Sequence, residues 1–112
     1  MNVGHAERLA EERARTVQQI ASLQATFDDI VAASEQVATD DEHDPEGHTI
    51  AWERQQVAAL LESARTRLGE LDLAIRRVEG GDYGRCETCG RAIPDERLDA
   101  IPTASTCVRC AT

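Results

Sequence analysis

Four cysteines near the end of the sequence form two Cys-x-x-Cys pairs, with 17 residues between the pairs. Two residues between cysteines let a tight turn direct both sulfurs at one ion, and the longer interval is typical of a four-thiolate zinc site. We therefore predict one zinc ion bound by Cys86, Cys89, Cys107 and Cys110. Iron held by four thiolates and a redox-active dithiol are the alternatives that these residues leave open.

Four protein thiolates fill the coordination shell of zinc, so we expect a structural site and a chain that is not an enzyme. Few apolar residues surround the cysteines, so the metal must supply most of the stability of this segment. Gly90 follows the first pair and is expected to adopt the positive φ that such a turn often needs. Three arginines should offset the charge of the thiolates: Arg85, Arg91 and Arg109. The three histidines are expected to be solvated: His5, His43 and His48.

The residues before the cysteines carry apolar side chains at alternating steps of three and four, which is the period of a coiled coil. Seven of ten positions are apolar in the first seam, which runs Ala6, Leu9, Arg13, Thr16, Ile20, Leu23, Phe27, Ile30, Ser34 and Val37. Eight of nine are apolar in the second, which runs Ile50, Arg54, Val57, Leu61, Ala64, Leu68, Leu71, Ile75 and Val78. The seams predict two long helices.

A short acidic segment joins the two seams, and a short connection makes consecutive helices antiparallel. Pro45 suits the first position of the second helix, and Asp44 before it can cap that helix. In this arrangement we expect Phe27 to lie near Leu61 and Ile20 near Leu68. Trp52 lies off the seam and should be partly exposed, either to anchor a partner or to pack on the other helix.

Two glycines, Gly80 and Gly81, should end the second helix. The predicted fold class is therefore mainly α: a long antiparallel two-helix coiled-coil hairpin followed by a small four-cysteine zinc finger. We expect the hairpin to cover residues 1–80, with an acidic tip at 40–47, and the zinc-finger domain to cover residues 81–112. The same seams would also suit a dimeric four-helix bundle, so they leave the oligomeric state open.

The chain has a net charge of −9, and residues 1–79 hold 16 acidic and 8 basic side chains. A nucleic-acid-binding finger needs a basic surface, so we expect no sequence-specific DNA contact. The acidic excess favours a basic protein partner or a site with a bound cation. Charges throughout residues 1–20 are unlike a signal peptide, and no apolar run suits a membrane span, so we expect a cytoplasmic protein.

The finger segment reads DYGRCETCG at residues 82–90 and PTASTCVRC at residues 102–110, with Ile93 and Arg97-Leu98 between them. A long coiled coil followed by these motifs resembles the DksA/TraR family of bacterial RNA polymerase regulators. The resemblance covers nearly the whole chain. It implies that the protein partner is RNA polymerase and that the coiled coil enters its secondary channel. It also implies an effect on transcription that is often exerted together with the alarmone ppGpp.

The resemblance also implies that the acidic tip lies near the catalytic magnesium of polymerase, with four contact residues: Asp41, Glu42, Asp44 and Glu46. Glu46 stands where the family motif Asp-x-x-Asp-x-Ala has alanine, and ungapped counting back from Cys86 aligns the motif with His43, Glu46 and His48 instead. The sequence stops two residues after Cys110, so we expect it to lack the rim contact that longer members make through a C-terminal helix. The alternatives are a zinc-stapled coiled-coil interaction module with another partner, a transcript-cleavage factor and a nucleic-acid finger.

Overall fold

A computed structural model describes residues 2–37 and 45–111 of the chain. Its elements are two long helices, a short third helix and a 3-10 turn: α1 (Asn2–Val37), α2 (Pro45–Gly80), α3 (Asp95–Ala100) and Val108–Cys110. Helices α1 and α2 run antiparallel and contact each other, and pairing between extended segments is limited, among the described residues, to one isolated bridge, Arg85 with Ala92. The predicted mainly α fold with a C-terminal four-cysteine region is confirmed.

Helix α2 begins and ends where local sequence signals predict. Pro45 is its first residue, as expected from the fixed φ of proline. At the other end Gly81 has a φ of +82°, and its N–H donates to the carbonyl of Val78 at 3.2 Å. The next N–H, of Asp82, donates to the carbonyl of Arg77 at 2.8 Å. These two bonds form a Schellman motif, in which a glycine with positive φ satisfies the last helical carbonyls.

The coiled-coil seams lie on the inner faces of the helices. In α1, every seam position from Ala6 to Ser34 is at least partly buried, whereas the intervening Gln18 and Gln19 are exposed. In α2, every seam position except Arg54 is at least partly buried. The period of 3.5 residues therefore identified the contact faces of both helices.

The chain divides into two compact units, one formed by residues 16–66 and the other by residues 1–15 together with 67–112. Among the described residues of the first unit, the buried side chains are Thr16, Leu61 and Ala64. An open groove of about 620 Å³ in this unit is lined by Gln24, Phe27, Ala58, Leu61, Glu62, Arg65 and Thr66. The expected proximity of Phe27 and Leu61 is thus confirmed. Arg65 also donates to the side-chain oxygen of Gln24 at 2.8 Å.

The second unit, which we call the base, holds the main apolar core. Helical residues Leu9, Leu71 and Ala74 pack there with residues of the finger: Tyr83, Cys86, Ile93 and Leu98. Ion pairs join the helices on the surface of the base, with 2.5 Å between Arg13 and Asp72 and 2.7 Å between Arg67 and Glu12. The domain boundary between residues 80 and 81 stays a prediction about which segments fold independently.

Trp52 is 60% exposed, as expected for a residue off the seam. Among the described helices, none is long and apolar enough to span a membrane.

We expect Leu61→Ala to lower the free energy of unfolding by about 3 kcal/mol, because it removes a buried side chain and leaves a cavity. Leu61 is 4% exposed, whereas its neighbour Leu60 is 52% exposed. Leu60→Ala is therefore a matched control, expected to change stability by about 0.5 kcal/mol or less. Urea unfolding followed by circular dichroism at 222 nm measures both, and equal effects would contradict the assigned inner face of α2.

Candidate metal centre

The structure brings all four predicted ligands together. The sulfurs of Cys86, Cys89, Cys107 and Cys110 lie within 4.8 Å of one another. Tetrahedral zinc with Zn–S bonds of about 2.3 Å requires sulfurs about 3.8 Å apart, and the sulfurs of Cys89 and Cys107 are separated by 3.8 Å. Both the donor set and the spacing therefore fit one zinc ion with a closed shell of four thiolates, which is a structural site.

The first Cys-x-x-Cys pair lies on a tight turn. The N–H of Cys86 donates to the carbonyl of Arg91 at 2.8 Å, and the N–H of Gly90 donates to the carbonyl of Cys86 at 2.9 Å. Gly90 has a φ of +76°, which confirms the positive φ predicted at this position. The glycine reverses the backbone after Cys89 without the steric cost that a Cβ would bring.

The second pair lies on the 3-10 turn, where the N–H of Cys110 donates to the carbonyl of Cys107 at 3.1 Å. A backbone hydrogen bond links the two turns, from the N–H of Glu87 to the carbonyl of Ser105 at 2.9 Å. This bond brings residue 87, next to one ligand, beside residue 105, which lies two positions before another. The backbone thus presents both pairs to the same point.

The thiols differ in their electrostatic surroundings. Backbone N–H groups of Cys107 and Cys89 donate to the sulfur of Cys86 and lower its pKa to about 6, despite the burial of this residue. Hydrogen bonding to the sulfur of Cys107 raises the pKa of Cys110 to about 12. Zinc binds thiolates, so binding must release protons, above all from Cys110. The flanking arginines expected to offset this negative charge are all exposed: Arg85, Arg91 and Arg109.

Side-chain hydrogen bonds that sequence reasoning missed stabilise the finger itself and join it to α1. The buried hydroxyl of Tyr83 donates to the carbonyl of Pro102 at 2.8 Å, and burial raises the pKa of this phenol, which keeps it protonated. Arg97 donates to the carbonyl of Thr106 at 2.9 Å, and Arg8 of α1 donates to the carbonyl of Asp99 at 2.6 Å. The motif DYG at residues 82–84 marks Tyr83 as a residue of interest in the sequence. The carbonyl that accepts its hydrogen bond lies 19 residues further along the chain, so the motif does not reveal that contact.

The expectation that all three histidines are solvated is wrong for His5. This residue is only partly exposed, and its ring lies 5.6 Å from the ring of Tyr83. His48 is exposed, as expected, and His43 lies outside the described residues. This ring contact with Tyr83 of the finger accounts for the partial burial of His5.

Most of the four predicted tip residues fall outside the described part of the chain. Asp41, Glu42 and Asp44 lie outside the described residues, and the backbone of Glu46 belongs to the first turn of α2. Their role remains a prediction, as does the capping of α2 by Asp44.

Purified protein should contain one zinc per chain, measured by atomic absorption. We expect Cys86→Ser to abolish zinc binding and to collapse the NMR dispersion of residues 81–111, while most of the helical signal at 222 nm stays. Thr88→Ala changes an exposed side chain inside the same Cys-x-x-Cys turn and should keep the metal. Metal-free Cys86→Ser protein with an ordered finger would contradict a structural zinc.

The affinity for zinc should fall as the pH falls, because protons compete with the metal for the thiolates. At pH 8 and 7 the Cys86 thiol, with its pKa of about 6, is already ionised. Below pH 6 it also binds a proton, so the logarithm of the affinity should fall more steeply with pH there. Competition with a chromophoric chelator between pH 8 and pH 5 measures this slope, and a slope that stays constant below pH 6 would contradict the low pKa of Cys86.

Comparison with known proteins matches the finger to a family. The family described as prokaryotic dksA/traR C4-type zinc finger matches residues 81–112. The RNA polymerase-binding transcription factor DksA of Escherichia coli (strain K12) is 40% identical over 48 residues, which are 43% of this chain and 32% of that protein. The uncharacterized protein YteA of Bacillus subtilis (strain 168) is 39% identical over 66 residues, which are 59% of this chain and 28% of that protein. The chain thus spans about a third of the length of these curated relatives.

A solved structure extends the likeness to the helices. The transcription factor DksA2 from Pseudomonas aeruginosa matches with a TM-score of 0.59 and 26% sequence identity, over 97% of this chain and 81% of that chain. The matched region includes the two long helices as well as the four-cysteine finger. On this agreement of sequence, fold and ligand geometry, residues 81–112 form a zinc finger of the prokaryotic dksA/traR C4 type, and the fold of the chain is similar to that of DksA2.

Proposed function

We propose that the chain is a bacterial transcription regulator that binds RNA polymerase directly. Its acidic tip enters the secondary channel and lies near the active site of polymerase. The observation that carries this proposal is the structural likeness to the transcription factor DksA2 over 97% of the chain. In this proposal the protein acts in the cytoplasm through protein–protein contact, catalyses no reaction itself and makes no sequence-specific contact with DNA.

Electrostatics supports a partner surface that is basic or holds a cation. The 16 acidic and 8 basic side chains of residues 1–79 leave this part of the chain with a net charge of −8. Complementary charge speeds association and disfavours wrong partners more than it adds affinity. The acidic helices would therefore be attracted to a channel lined by basic groups and would be repelled by nucleic acid.

The tip is the part of the chain proposed to alter transcription. Residues 40–46 hold five carboxylates, of which Asp41, Glu42, Asp44 and Glu46 are the proposed contacts. One acidic residue suffices to cap a helix, and five close together repel one another. We propose that these carboxylates reach basic residues or magnesium at the polymerase active site, where ppGpp is a candidate co-effector.

A second candidate function is an interaction module with another partner, for which zinc serves only as a staple. The 60% exposure of Trp52 favours it, because exposed tryptophans often anchor protein interfaces. Glu46, which departs from the family tip motif, favours it as well. Purification of the tagged chain from bacterial lysate separates the candidates: core polymerase in the eluate supports the regulator, and its absence at low salt supports the module.

We expect Asp41→Ala and Asp44→Ala to abolish the effect on transcription in vitro. Binding to polymerase and zinc content should be largely kept, because the helices and finger still dock. The melting temperature of Asp41→Ala should match that of the parent, whereas that of Asp44→Ala should fall slightly, because loss of the predicted N-cap of α2 costs about 1 kcal/mol. Asp29→Ala is the matched control, since Asp29 is exposed on α1 and its loss changes the charge equally. If both tip variants regulate like the control, the assigned role of the tip is wrong.

A further inference from the structure

Arg77 joins the end of α2 to the finger through hydrogen bonds that do not involve the zinc ligands themselves. It lies in the last turn of α2, and its side chain is only 16% exposed, unlike that of the neighbouring Arg76, which is exposed. Its guanidinium donates to the carbonyl of Asp82 at 3.2 Å, to the carbonyl of Arg85 and to the carboxylate of Glu87 at 3.4 Å. One side chain thus reaches three residues of the finger.

The main chain of Arg77 belongs to the same junction. Its carbonyl accepts hydrogen bonds from the N–H groups of Asp82 at 2.8 Å and Tyr83 at 3.1 Å. The backbone of Arg77 therefore ends helix α2, while its side chain binds the finger. Movement of the helix end disturbs the bonds to the finger, and movement of the finger disturbs the bonds that end the helix.

The residues that Arg77 contacts adjoin the metal ligands. Arg85 and Glu87 flank Cys86 on its two sides. Glu87 continues to the second ligand pair, because its N–H donates to the carbonyl of Ser105 at 2.9 Å and its carboxylate accepts from the hydroxyl of Ser105 at 3.4 Å. A metal bound by four thiolates would hold both turns, and with them the acceptors of Arg77.

We propose that Arg77 couples zinc binding to the order of the last turns of α2. Zinc fixes the carbonyl and carboxylate groups that Arg77 binds, and Arg77 in turn holds the first cysteine turn closed around the metal. Such coupling is reciprocal: removal of the metal loosens the end of α2, and removal of the guanidinium weakens retention of the metal. This proposal does not depend on RNA polymerase as the partner.

The test compares Arg77→Ala with Arg76→Ala, which removes the same charge from an adjacent, exposed position. Two measurements are made on zinc-loaded protein: hydrogen exchange of residues 71–80, and the rate at which a chelator removes zinc. In Arg77→Ala both rates should rise about tenfold, as expected from the loss of a charge-assisted hydrogen bond. In Arg76→Ala both should match the parent, and exchange in residues 20–35 should be the same in all proteins.

The two rates together distinguish coupling from a local structural role. Faster exchange at the end of α2 with an unchanged rate of zinc release would overturn the proposal, since Arg77 would then stabilise only the helix. Unchanged values of both rates would also overturn it. If Arg77→Ala takes up no zinc while Arg76→Ala does, coupling is supported. Arg77→Lys keeps the charge but places all its donors on one nitrogen instead of a planar fork. It should then bind zinc and release it faster than the parent.

Discussion

The finger depends on the approach of four sulfur atoms to within 4.8 Å of one another. Four thiolates at this distance repel one another, and each prefers water unless a cation lies between them. A divalent ion makes this close approach favourable, because it attracts all four thiolates. It thereby holds the two backbone turns that carry them. Cys86 also packs in the apolar core with Leu9 and Leu71. The energy of metal binding therefore stabilises the contact between finger and helices as well as the finger itself.

The junction between α2 and the finger shows how a short segment can be ordered without a large core. Gly81 permits the reversal that ends the helix, and the hydroxyl of Tyr83 satisfies the carbonyl of Pro102 inside the protein. Buried polar groups without partners would each cost about 1–3 kcal/mol, which a small domain could not tolerate repeatedly. Hydrogen bonding by these residues thus orders the chain where it leaves α2 and enters the finger.

The apolar seam, rather than ion pairing, stabilises the two acidic helices against their own charge. Pairs such as Arg13 with Asp72 are partly exposed, and exposed pairs typically contribute about 0–1 kcal/mol each. Full burial of one leucine contributes about 1.5–3 kcal/mol, and Leu61 and Leu71 are both buried. A seam of this strength leaves the outer surfaces free to carry a net negative charge, which is the property that the proposed polymerase contact requires.

Local patterns in the sequence were sufficient for the ligand set, the helical seams and the ends of α2 at Pro45 and after Gly80. Each follows from spacing or backbone preference within a few residues, so no knowledge of distant contacts was needed. The ring contact of His5 with Tyr83, and the hydrogen bonds that Arg77 makes to the finger, appeared only in the tertiary structure. An arginine within a helix, or a histidine near the start of a helix, has the same local sequence pattern whether its side chain is solvated or has a protein partner. The difference arises because folding brings α1, the end of α2 and the finger together, and only that proximity decides which polar side chains acquire partners.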